Sequence, residues 1–465
     1  MKRILSVILC GLLLLTALPV LFASAAESDF VIEDGVLLSY RGSDTAVTVP
    51  EGVVSIADSA FENNQKITSV TLPSSLYTVG KNAFSGCAAL SAVSGGQNVG
   101  EVGYRAFYGT PYFENSTARY LMLGTVLIWY NGTAESVSIP TACTAIAPYA
   151  FARCDTVTSF TAHEGLLTIG DGAFYQCGSL SEVHLPVTLS EVGAYAFDGT
   201  PYLQSLGEYP TVGDGVLVKY QGSETEVIIP ESVRRISPRA FSSSKLSSVI
   251  IPDSVYSVDP YAFADCTGLT SVEFSDGLVN IGDGAFSGCK SLNTVRTPES
   301  LAYLGQYAFC GDTALESASL IGSRLTVSDN AFKDCTNLRY ALLSNGAEQV
   351  NDNAFLNCTA LNGISAGSTV KAFSGSALSG CKNVTVSCEK GSAAANAGYK
   401  TDTLKGDVDN DQELTITDAT GIQRYLVQLT DFSGLQAAKA DLNYDGILDI
   451  FDASYIQLLL AGMIG

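Results

Sequence analysis

The dipeptide Ala-Phe recurs along most of this chain at a nearly constant spacing, and this period constrains the fold more than any other feature. The phenylalanines are Phe61, Phe84, Phe107, Phe151, Phe174, Phe197, Phe241, Phe263, Phe286, Phe309, Phe332 and Phe355. Most steps are 23 residues, one is 22, two are 44, and Leu378 takes the same place 23 residues after Phe355. A fixed period of this length is typical of a solenoid, in which each turn buries its apolar face only against its neighbours.

The apolar pattern around each phenylalanine repeats as well. Phe263, for example, is followed by Leu269, Val272, Phe274, Leu278 and Ile281. Short runs rich in β-branched residues predict strands that stack into one parallel sheet. They lie at Thr68–Leu72, Ser181–Leu185 and Thr270–Phe274. The pattern resembles the leucine-rich repeats of bacterial surface antigens, over roughly residues 30–403. The resemblance implies a surface or secreted, adhesin-like binding protein from a functionally broad family.

Three similar inserts precede Phe61, Phe151 and Phe241, which are 90 residues apart. The inserts read EDGVLLSYRGSDTAVTVP, LGTVLIWYNGTAESVSIP and GDGVLVKYQGSETEVIIP. Alternating apolar runs joined by Arg-Gly-Ser, Asn-Gly-Thr or Gln-Gly-Ser predict β-hairpins with tight turns at these tripeptides. The inserts also hold the aromatic residues Tyr40, Trp129, Tyr130 and Tyr220. We expect these to pack each hairpin onto the solenoid; a row of ligand contacts along one edge is the alternative.

Eleven cysteines follow the N-terminal apolar segment, and most keep the register of the repeat. Those three residues after a repeat phenylalanine, or after Leu378, are Cys87, Cys154, Cys177, Cys266, Cys289, Cys335, Cys358 and Cys381. A small residue kept in register once per turn predicts a buried ladder of free thiols. Disulfide pairing, with Cys381–Cys388 as the first pair to consider, is the alternative, because exported proteins commonly form disulfides.

Two aspartate-rich loops lie near the C-terminus, DVDNDQELTITD at Asp407–Asp418 and DLNYDGILDIFD at Asp441–Asp452. Acidic or amide oxygens fall at positions 1, 3, 5 and 12, a spacing that wraps a loop around one hard divalent cation. Position 7 adds a backbone carbonyl, and position 9 a side-chain oxygen, directly or through water. The predicted ligands are Asp407, Asp409, Asp411, Glu413, Thr415 and Asp418 in the first loop, and Asp441, Asn443, Asp445, Ile447, Asp449 and Asp452 in the second. We therefore expect two calcium ions in EF-hand-like loops.

Each loop runs into a segment with helical apolar spacing, and each is closed by Asp rather than Glu. Two such loop–helix units resemble the type I dockerin module, over Lys405–Gly465. The resemblance implies a small all-α module that docks onto a cohesin domain of a scaffold protein, as in cellulosome-type assemblies that break down polysaccharide. Position 6, usually Gly, is Gly446 in the second loop but Gln412 in the first. A left-handed residue other than glycine costs about 1–2 kcal/mol, so we expect the first site to bind calcium more weakly.

The same resemblance implies cohesin contacts at loop positions 10 and 11 and at helix positions 17, 18 and 22. The contact candidates are Thr417, Gln423, Arg424, Phe451, Gln457 and Leu458. The first face is polar with one cation and the second is apolar, which argues against a symmetric, dual-orientation binding mode. We expect Ile416 and Ile450, at position 10, to fill the small core between the loops instead.

The N-terminus has the pattern of a secretory signal peptide. Lys2 and Arg3 precede an apolar run, Ile4–Phe22, and small residues suited to cleavage follow at Ala23–Ala26. A transmembrane anchor is the alternative. We interpret the chain as secreted, with no membrane span after cleavage, and as held at the cell surface through a scaffold protein.

The predicted domain organisation has three parts. They are a signal peptide at residues 1–26, a leucine-rich-repeat β-solenoid with short parallel strands and β-hairpin inserts at 27–403, and a dockerin-like module at 404–465. The net charge of the chain is −22, and Lys405–Gly465 holds ten carboxylates and three basic residues, hence 3 − 10 = −7. This acidity argues against nucleic acid and anionic membranes as partners.

Signs of catalysis are few. The only histidines are His163 and His184. Gly363–Gly367 matches the nucleophile-elbow string GxSxG, but it falls in a repeat strand, and no histidine follows it. We therefore interpret the chain as a non-catalytic binding or adhesion subunit whose ligand is a protein or polysaccharide. A dockerin-borne polysaccharide-degrading hydrolase is the alternative, and a structural spacer or a protein-targeted inhibitor is a third possibility.

The solenoid's own ligand should contact side chains that point outward from the repeat strands. The predicted exposed positions are Thr71, Ser94, Thr161, His184, Glu273, Arg296, Ser319 and Ser365. Most are small and hydroxylic, and none is an aromatic platform for stacking sugar rings.

Overall fold

The computed structural model describes residues 29–402 and 404–464, so the predicted signal peptide lies outside the described residues. The described residues begin with a solenoid block whose elements are β1 (Phe30–Glu33), β2 (Val36–Tyr40), β3 (Ala46–Thr48), β4 (Ser55–Ile56), β5 (Ser69–Leu72), β6 (Thr78–Val79), β7 (Ala92–Gly95), β8 (Glu101–Val102) and α1 (Pro111–Glu114). The second block holds β9 (Tyr120–Leu123), β10 (Val126–Tyr130), β11 (Ser136–Ser138), β12 (Ala145–Ile146), β13 (Ser159–Thr161), β14 (Thr168–Ile169), β15 (Glu182–His184), β16 (Glu191–Val192) and α2 (Pro201–Ser205).

The third block is the longest, and the helical module follows it. The block holds β17 (Thr211–Val212), β18 (Val216–Leu217), β19 (Glu226–Ile228), β20 (Arg235–Ile236), β21 (Ser248–Ile251), β22 (Ser257–Val258), β23 (Ser271–Phe274), β24 (Asn280–Ile281), β25 (Thr294–Arg296), β26 (Tyr303–Leu304), β27 (Ser317–Leu320), β28 (Leu325–Val327), β29 (Tyr340–Leu343), β30 (Ala347–Val350), β31 (Gly363–Ala366), β32 (Ala372–Phe373), β33 (Thr385–Cys388), α3 (Ala393–Asn396) and β34 (Thr401–Asp402). The module's helices are α4 (Ile416–Leu426), α5 (Gly434–Ala440) and α6 (Ile450–Leu460).

Each solenoid turn contributes strands to two parallel ladders. The longer strands pair one turn apart, as in β3-β5-β7 and in β25-β27-β29-β31-β33-β34, and they include the predicted strands. A second ladder of mostly two-residue strands, such as β4-β6-β8, runs beside them and was not predicted, because two residues are too short to show an alternating pattern. The described turns therefore form the predicted β-solenoid, with one unpredicted sheet.

Hairpins open all three blocks, but their turns are not at the predicted tripeptides. The antiparallel pairs are β1 with β2, β9 with β10, and β17 with β18, so the first turn lies at Asp34-Gly35, ahead of Tyr40. The Arg-Gly-Ser segment instead leads from β2 to β3, which belong to different sheets. The predicted turn position is wrong because these glycines serve packing: a Cβ at Gly42 or Gly132 would lie 2.3 Å from the hydroxyl oxygen of Tyr40 or Tyr130.

The repeat phenylalanines form the spine of the core. Their rings stack turn upon turn, with centroids 4.7 Å apart for Phe61–Phe84 and 5.0 Å apart for Phe263–Phe286. A hairpin tyrosine extends each stack, as Tyr130 does 4.9 Å from Phe151. The predicted packing role is therefore confirmed for Tyr40, Tyr130 and Tyr220, and the burial of Tyr130 and Tyr220 keeps their rings from contacting a ligand.

The cysteine ladder is explained by one repeated hydrogen bond. None of the eleven cysteines in the described chain is in a disulfide, as the register predicts. Seven thiols donate to the carbonyl of the repeat phenylalanine one turn earlier, with distances of 3.0 Å for Cys87 to Phe61 and 3.1 Å for Cys358 to Phe332; the others are Cys177, Cys266, Cys289, Cys335 and Cys381. Burial raises the pKa of Cys177 to about 12, so that thiol stays protonated and unreactive at neutral pH.

Candidate metal and partner-binding site

The first loop is held by hydrogen bonds from its own backbone to its carboxylates. The amide of Asp411 donates to Oδ1 of Asp407 (3.1 Å) and to Oδ1 of Asp409 (3.2 Å). The amide of Glu413 donates to Oδ1 of Asp411 (2.8 Å). Positions 1, 3, 5 and 7 are therefore drawn together by the chain itself, before any cation is considered.

The second loop repeats this pattern with one difference. The amide of Asp445 donates to Oδ1 of Asn443 (3.0 Å), and the amide of Ile447 donates to Oδ1 of Asp445 (2.8 Å). At position 1, however, Oδ1 of Asp441 is buried without a hydrogen-bond partner. Its Oδ2 accepts a hydrogen bond from the hydroxyl of Ser365, 3.0 Å away in β31 of the solenoid.

The closing aspartates join the two ends of each loop. Oδ1 of Asp418 accepts the amide of Val408 (2.8 Å), and Oδ1 of Asp452 accepts the amide of Leu442 (2.9 Å). Their second oxygens accept the amide three residues earlier and complete capping boxes at α4 and α6. The aspartate at position 12 therefore closes the loop and also stabilises the first turn of the helix.

Position 9 and position 6 are also placed consistently. The side chains of Thr415 and Asp449 are the N-caps of α4 and α6, and each accepts the amide two residues on. Gln412 adopts the left-handed conformation with φ +71°, and Gly446 does so with φ +79°. The backbone of the first loop therefore takes the strained conformation expected from its missing glycine.

The residues of each loop are suited to a hard divalent cation, and a different observation supports this for each loop. Carboxylate oxygens of Asp407, Asp409 and Asp418 lie within 4.8 Å of one another. In the second loop, burial raises the pKa of Asp441 to about 6 and that of Asp452 to about 7. A cation would stabilise the ionised carboxylates there and would provide a partner for the orphaned oxygen of Asp441. The donors are all oxygens, which suits calcium.

Two lysines that the sequence analysis missed lie beside the loops. Nζ of Lys439 is buried and contacts Oδ2 of Asp407 (3.0 Å) and Oδ1 of Asn410 (3.0 Å). Nζ of Lys405 donates to the carbonyl of Leu442 (2.9 Å) beside the second loop. The positions of Lys405 and Lys439 in the sequence do not predict contacts with the loops, because only the folded module brings these lysines close to them.

The candidate cohesin contacts lie mostly at the surface. Thr417, Arg424 and Gln457 are exposed, whereas Gln423 is half-buried. The apolar pair is also exposed, with 68% of Phe451 and 40% of Leu458 accessible.

The expected role of the two isoleucines at position 10 is wrong. Ile416 is 57% exposed and Ile450 is 50% exposed, because the core between the helices is filled by other residues. These are Val408, Ala419, Ile422, Phe432, Ala437, Ala440, Leu442, Ala453 and Ile456. The two isoleucines therefore add apolar surface next to the candidate contacts, and the first face is less polar than predicted.

The module packs against the solenoid, which the sequence did not predict. Helix α5 lies over β29, β31 and β33, and the approach is as close as backbone permits. A Cβ at Gly363 would lie 2.0 Å from the carbonyl oxygen of Gly434, and a Cβ at Gly434 would lie 2.0 Å from that of Arg339. Small residues on both sides allow this contact.

Polar contacts surround that close approach. The guanidinium of Arg339 donates to the carbonyl of Phe432 (2.5 Å) and pairs with Asp431 (3.1 Å). The hydroxyls of Tyr340 and Tyr425 are 3.3 Å apart. The module is thus joined to the solenoid at residues 425–434 as well as at the second loop.

One of the solenoid positions predicted to be exposed is instead covered by the module. Thr71, Ser94, Thr161, His184, Glu273 and Arg296 are exposed as expected, and Ser319 is half-buried. Ser365, however, is completely buried, because the module covers β31. The GxSxG string therefore does not present an exposed nucleophile.

Fold and site together define a leucine-rich-repeat solenoid that carries a small calcium-loop module. Sequence comparison agrees, since the chain matches the BspA type leucine rich repeat region over residues 39–119, 128–212, 219–316 and 257–385. The match covers more than half of the chain, and the protein belongs to this family. Residues 405–460 match the dockerin type I domain. This is the class of module that binds calcium and anchors its carrier to a cohesin.

Solved structures of bacterial proteins are similar to this chain at low identity. A leucine-rich repeat protein of Eubacterium ventriosum is 20% identical, with 74% of this chain and 88% of that chain covered and a TM-score of 0.38. A leucine rich cell surface protein of Faecalibacterium prausnitzii is 23% identical, covering 80% and 96%, with a TM-score of 0.29. No curated protein is similar enough to count as a relative. Within residues 29–402 and 404–464, no helix has the length and apolar character to cross a membrane.

Proposed function

We propose that this protein is a secreted, non-catalytic binding subunit, anchored to a scaffold protein by calcium-dependent docking of its C-terminal module onto a cohesin, in the setting of polysaccharide breakdown. Two calcium ions hold the module, one in each loop. The dockerin match supports the anchoring, and the N-terminal sequence pattern supports export. The burial of Ser365 under the module supports a binding role over a hydrolytic one.

The observation that carries this proposal is the exposure of the candidate contacts while the module is packed on the solenoid. The module faces the solenoid through α5, through Tyr425 and Asp431, and through the second loop, whereas Phe451 and Leu458 on α6 remain exposed. Docking on the solenoid and docking on a cohesin therefore use different surfaces. A cohesin can bind without displacing the module.

The apolar pair on α6 should dominate the interface. Phenylalanine buries about 150–250 Å² when fully covered, and 68% of Phe451 is available. Covering that fraction is worth roughly 3 kcal/mol at about 25 cal/mol per Å², and Leu458 adds a smaller amount. Residues of this kind, seven apart on one helix, present one face to a partner.

Titration of the full chain with type I cohesin domains tests the assignment. We expect Phe451→Ala with Leu458→Ala to weaken binding by at least 100-fold, and Thr417→Ala with Arg424→Ala to weaken it less. The control is Leu429→Ala, a residue 70% exposed on the same module but outside the candidate set. Equal, small losses for both double variants would show that α6 does not dominate and that either face can dock.

For the solenoid, we propose that the outward side chains of the first two blocks bind the protein or polysaccharide ligand. Thr71 and Ser94 lie on neighbouring strands with hydroxyls 3.3 Å apart, and Thr161 and His184 continue this type of surface in the second block. A pull-down of the full chain with plant polysaccharides and bacterial surface proteins, repeated with Thr71→Arg and Thr161→Arg, tests this surface. Unchanged capture by the arginine variants would exclude it.

A further inference from the structure

We infer that the solenoid forms part of the second calcium site: Ser365 and Asn345 hold the second loop in its calcium-binding shape, and calcium bound there fixes the module on the solenoid. This inference rests on the proposed calcium binding. It adds that one of the two loops depends on residues about 80 to 100 positions earlier in the chain, whereas the other does not. Ser365 and Asn345 act through the loop and are positioning residues, not ligands.

Ser365 orients the first ligand of the second loop. Its hydroxyl donates to Oδ2 of Asp441 at 3.0 Å, and both side chains are completely buried. This leaves Oδ1 of Asp441, which has no hydrogen-bond partner, as the free oxygen of the carboxylate. Hydrogen bonds of this kind to a ligating carboxylate fix its orientation and are a recognised determinant of metal affinity.

Asn345 holds the backbone of the same loop from the other side. The backbone N–H of Asn345 donates to the carbonyl of Tyr444 (2.7 Å), and its side-chain Nδ2 donates to the carbonyl of Asn443 (2.9 Å). Tyr444 has a left-handed φ of +55°, an uncommon conformation for a bulky residue. The two hydrogen bonds from Asn345 therefore stabilise positions 3 and 4 in the shape that the loop needs.

The first loop provides the internal contrast. In the described part of the chain, no hydrogen bond joins Asp407–Asp418 to the solenoid directly. The corresponding oxygen of its position 1, Oδ1 of Asp407, accepts the amide of Asp411 inside the loop. The effect of the solenoid should therefore be confined to the second site.

Linkage makes the effect reciprocal. If docking on the solenoid strengthens calcium binding at the second loop, calcium must strengthen docking by the same factor. Calcium would then set the position of the cohesin-binding helices relative to the solenoid, in addition to folding the module.

Calcium titration of the full chain by isothermal calorimetry tests the first half of the inference. In an Asp411→Ala background, which leaves the second loop to be measured, we expect Ser365→Ala and Asn345→Ala each to weaken calcium binding about tenfold. The control is Ser387→Ala, because Ser387 occupies the next outward position on β33, is fully buried and has no partner for its hydroxyl. In an Asp445→Ala background, Ser365→Ala should leave the first loop unchanged.

Hydrogen exchange of the backbone N–H of Asn345 tests whether calcium fixes the module on the solenoid, because the acceptor of this N–H, the carbonyl of Tyr444, lies across the interface. We expect calcium to slow this exchange in the unaltered chain. Gly363→Ala should remove the protection, since its Cβ would collide with Gly434 and not with the solenoid core. Unchanged calcium affinity in Ser365→Ala and Asn345→Ala, or exchange at Asn345 that is insensitive to calcium, would overturn the inference while leaving the proposed function intact. An unaltered chain that binds no calcium would overturn both.

Discussion

Asp312 occupies the cysteine ladder and should destabilise the solenoid at neutral pH. It follows Phe309 by three residues, the place held by Cys289 and Cys335 in the adjacent turns, and its side chain is completely buried. Oδ1 accepts the amide of Cys289 at 2.8 Å, but Oδ2 has no partner. Burial raises the pKa of Asp312 well above its usual value of 3.8. An unsatisfied buried polar atom alone costs about 1–3 kcal/mol.

The pH dependence of Asp312→Asn follows from that shift. Because the folded-state pKa is raised, the protonated carboxyl favours the folded state below about pH 4, and this contribution is lost as the pH rises toward the folded-state pKa. Over that range, the advantage of asparagine should grow by about 1.4 kcal/mol per pH unit. Asparagine keeps the volume and the acceptor for Cys289 but cannot ionise.

Urea unfolding followed by circular dichroism, from pH 5 to pH 8 with calcium held saturating, measures this advantage. We expect Asp312→Asn to be more stable than the unaltered chain at pH 7, by a margin that is larger than at pH 5, and Asp312→Cys also to be stabilising. The same substitution at Asp276, exposed in the same block, is the control. An advantage of Asp312→Asn that is equal at pH 5 and pH 8 would refute the reasoning.

Three further predictions concern single contacts. Cys358→Ala removes the thiol bond to Phe332 and should cost about 1–2 kcal/mol in urea unfolding, whereas a gain would contradict the ladder account. Gly132→Ala places a Cβ 2.3 Å from the Tyr130 hydroxyl, whereas Gly178→Ala meets its nearest atom at 3.4 Å; we expect a loss of about 1–3 kcal/mol for the first alone. Asp445→Ala should lower the calcium-dependent melting temperature of the module more than Asp411→Ala does, because the backbone strain at Gln412, about 1–2 kcal/mol, already weakens the first site. If calorimetry shows the larger loss for Asp411→Ala, the strain at Gln412 does not weaken the first site.

The repeat made most of the solenoid predictable. Apolar residues at fixed offsets place the longer strands, and a cysteine in register three residues after each phenylalanine predicts buried thiols. The repeat did not predict the role of residues in the inserts. Gly42 looks like a turn residue, but its lack of a Cβ makes room for the hydroxyl of Tyr40, a tertiary contact that local turn chemistry does not encode.

The two loops could be predicted because their pattern is local. Every predicted side-chain ligand lies within a twelve-residue loop, so spacing alone suffices to predict the set. The packing of the module on the solenoid is different. It is made by the close approach of Gly363 and Gly434 and by polar contacts of single solenoid side chains such as Arg339 and Ser365, and such residues have no pattern that distinguishes an interface from any other close contact. The burial of Ser365 follows from this packing, whereas the exposure of Ile416 and Ile450 follows from the way other residues fill the module's own core.

Cohesin binding by the full chain with and without calcium tests the central claim most directly. The unaltered protein is mixed with a type I cohesin in 1 mM calcium, then in excess chelator, and then with calcium restored, and binding is measured by calorimetry at each step. Calcium-dependent anchoring predicts binding that disappears with chelator and returns with calcium, because carboxylates crowded in the loops repel one another without the cation. Binding of equal strength in chelator would contradict the account.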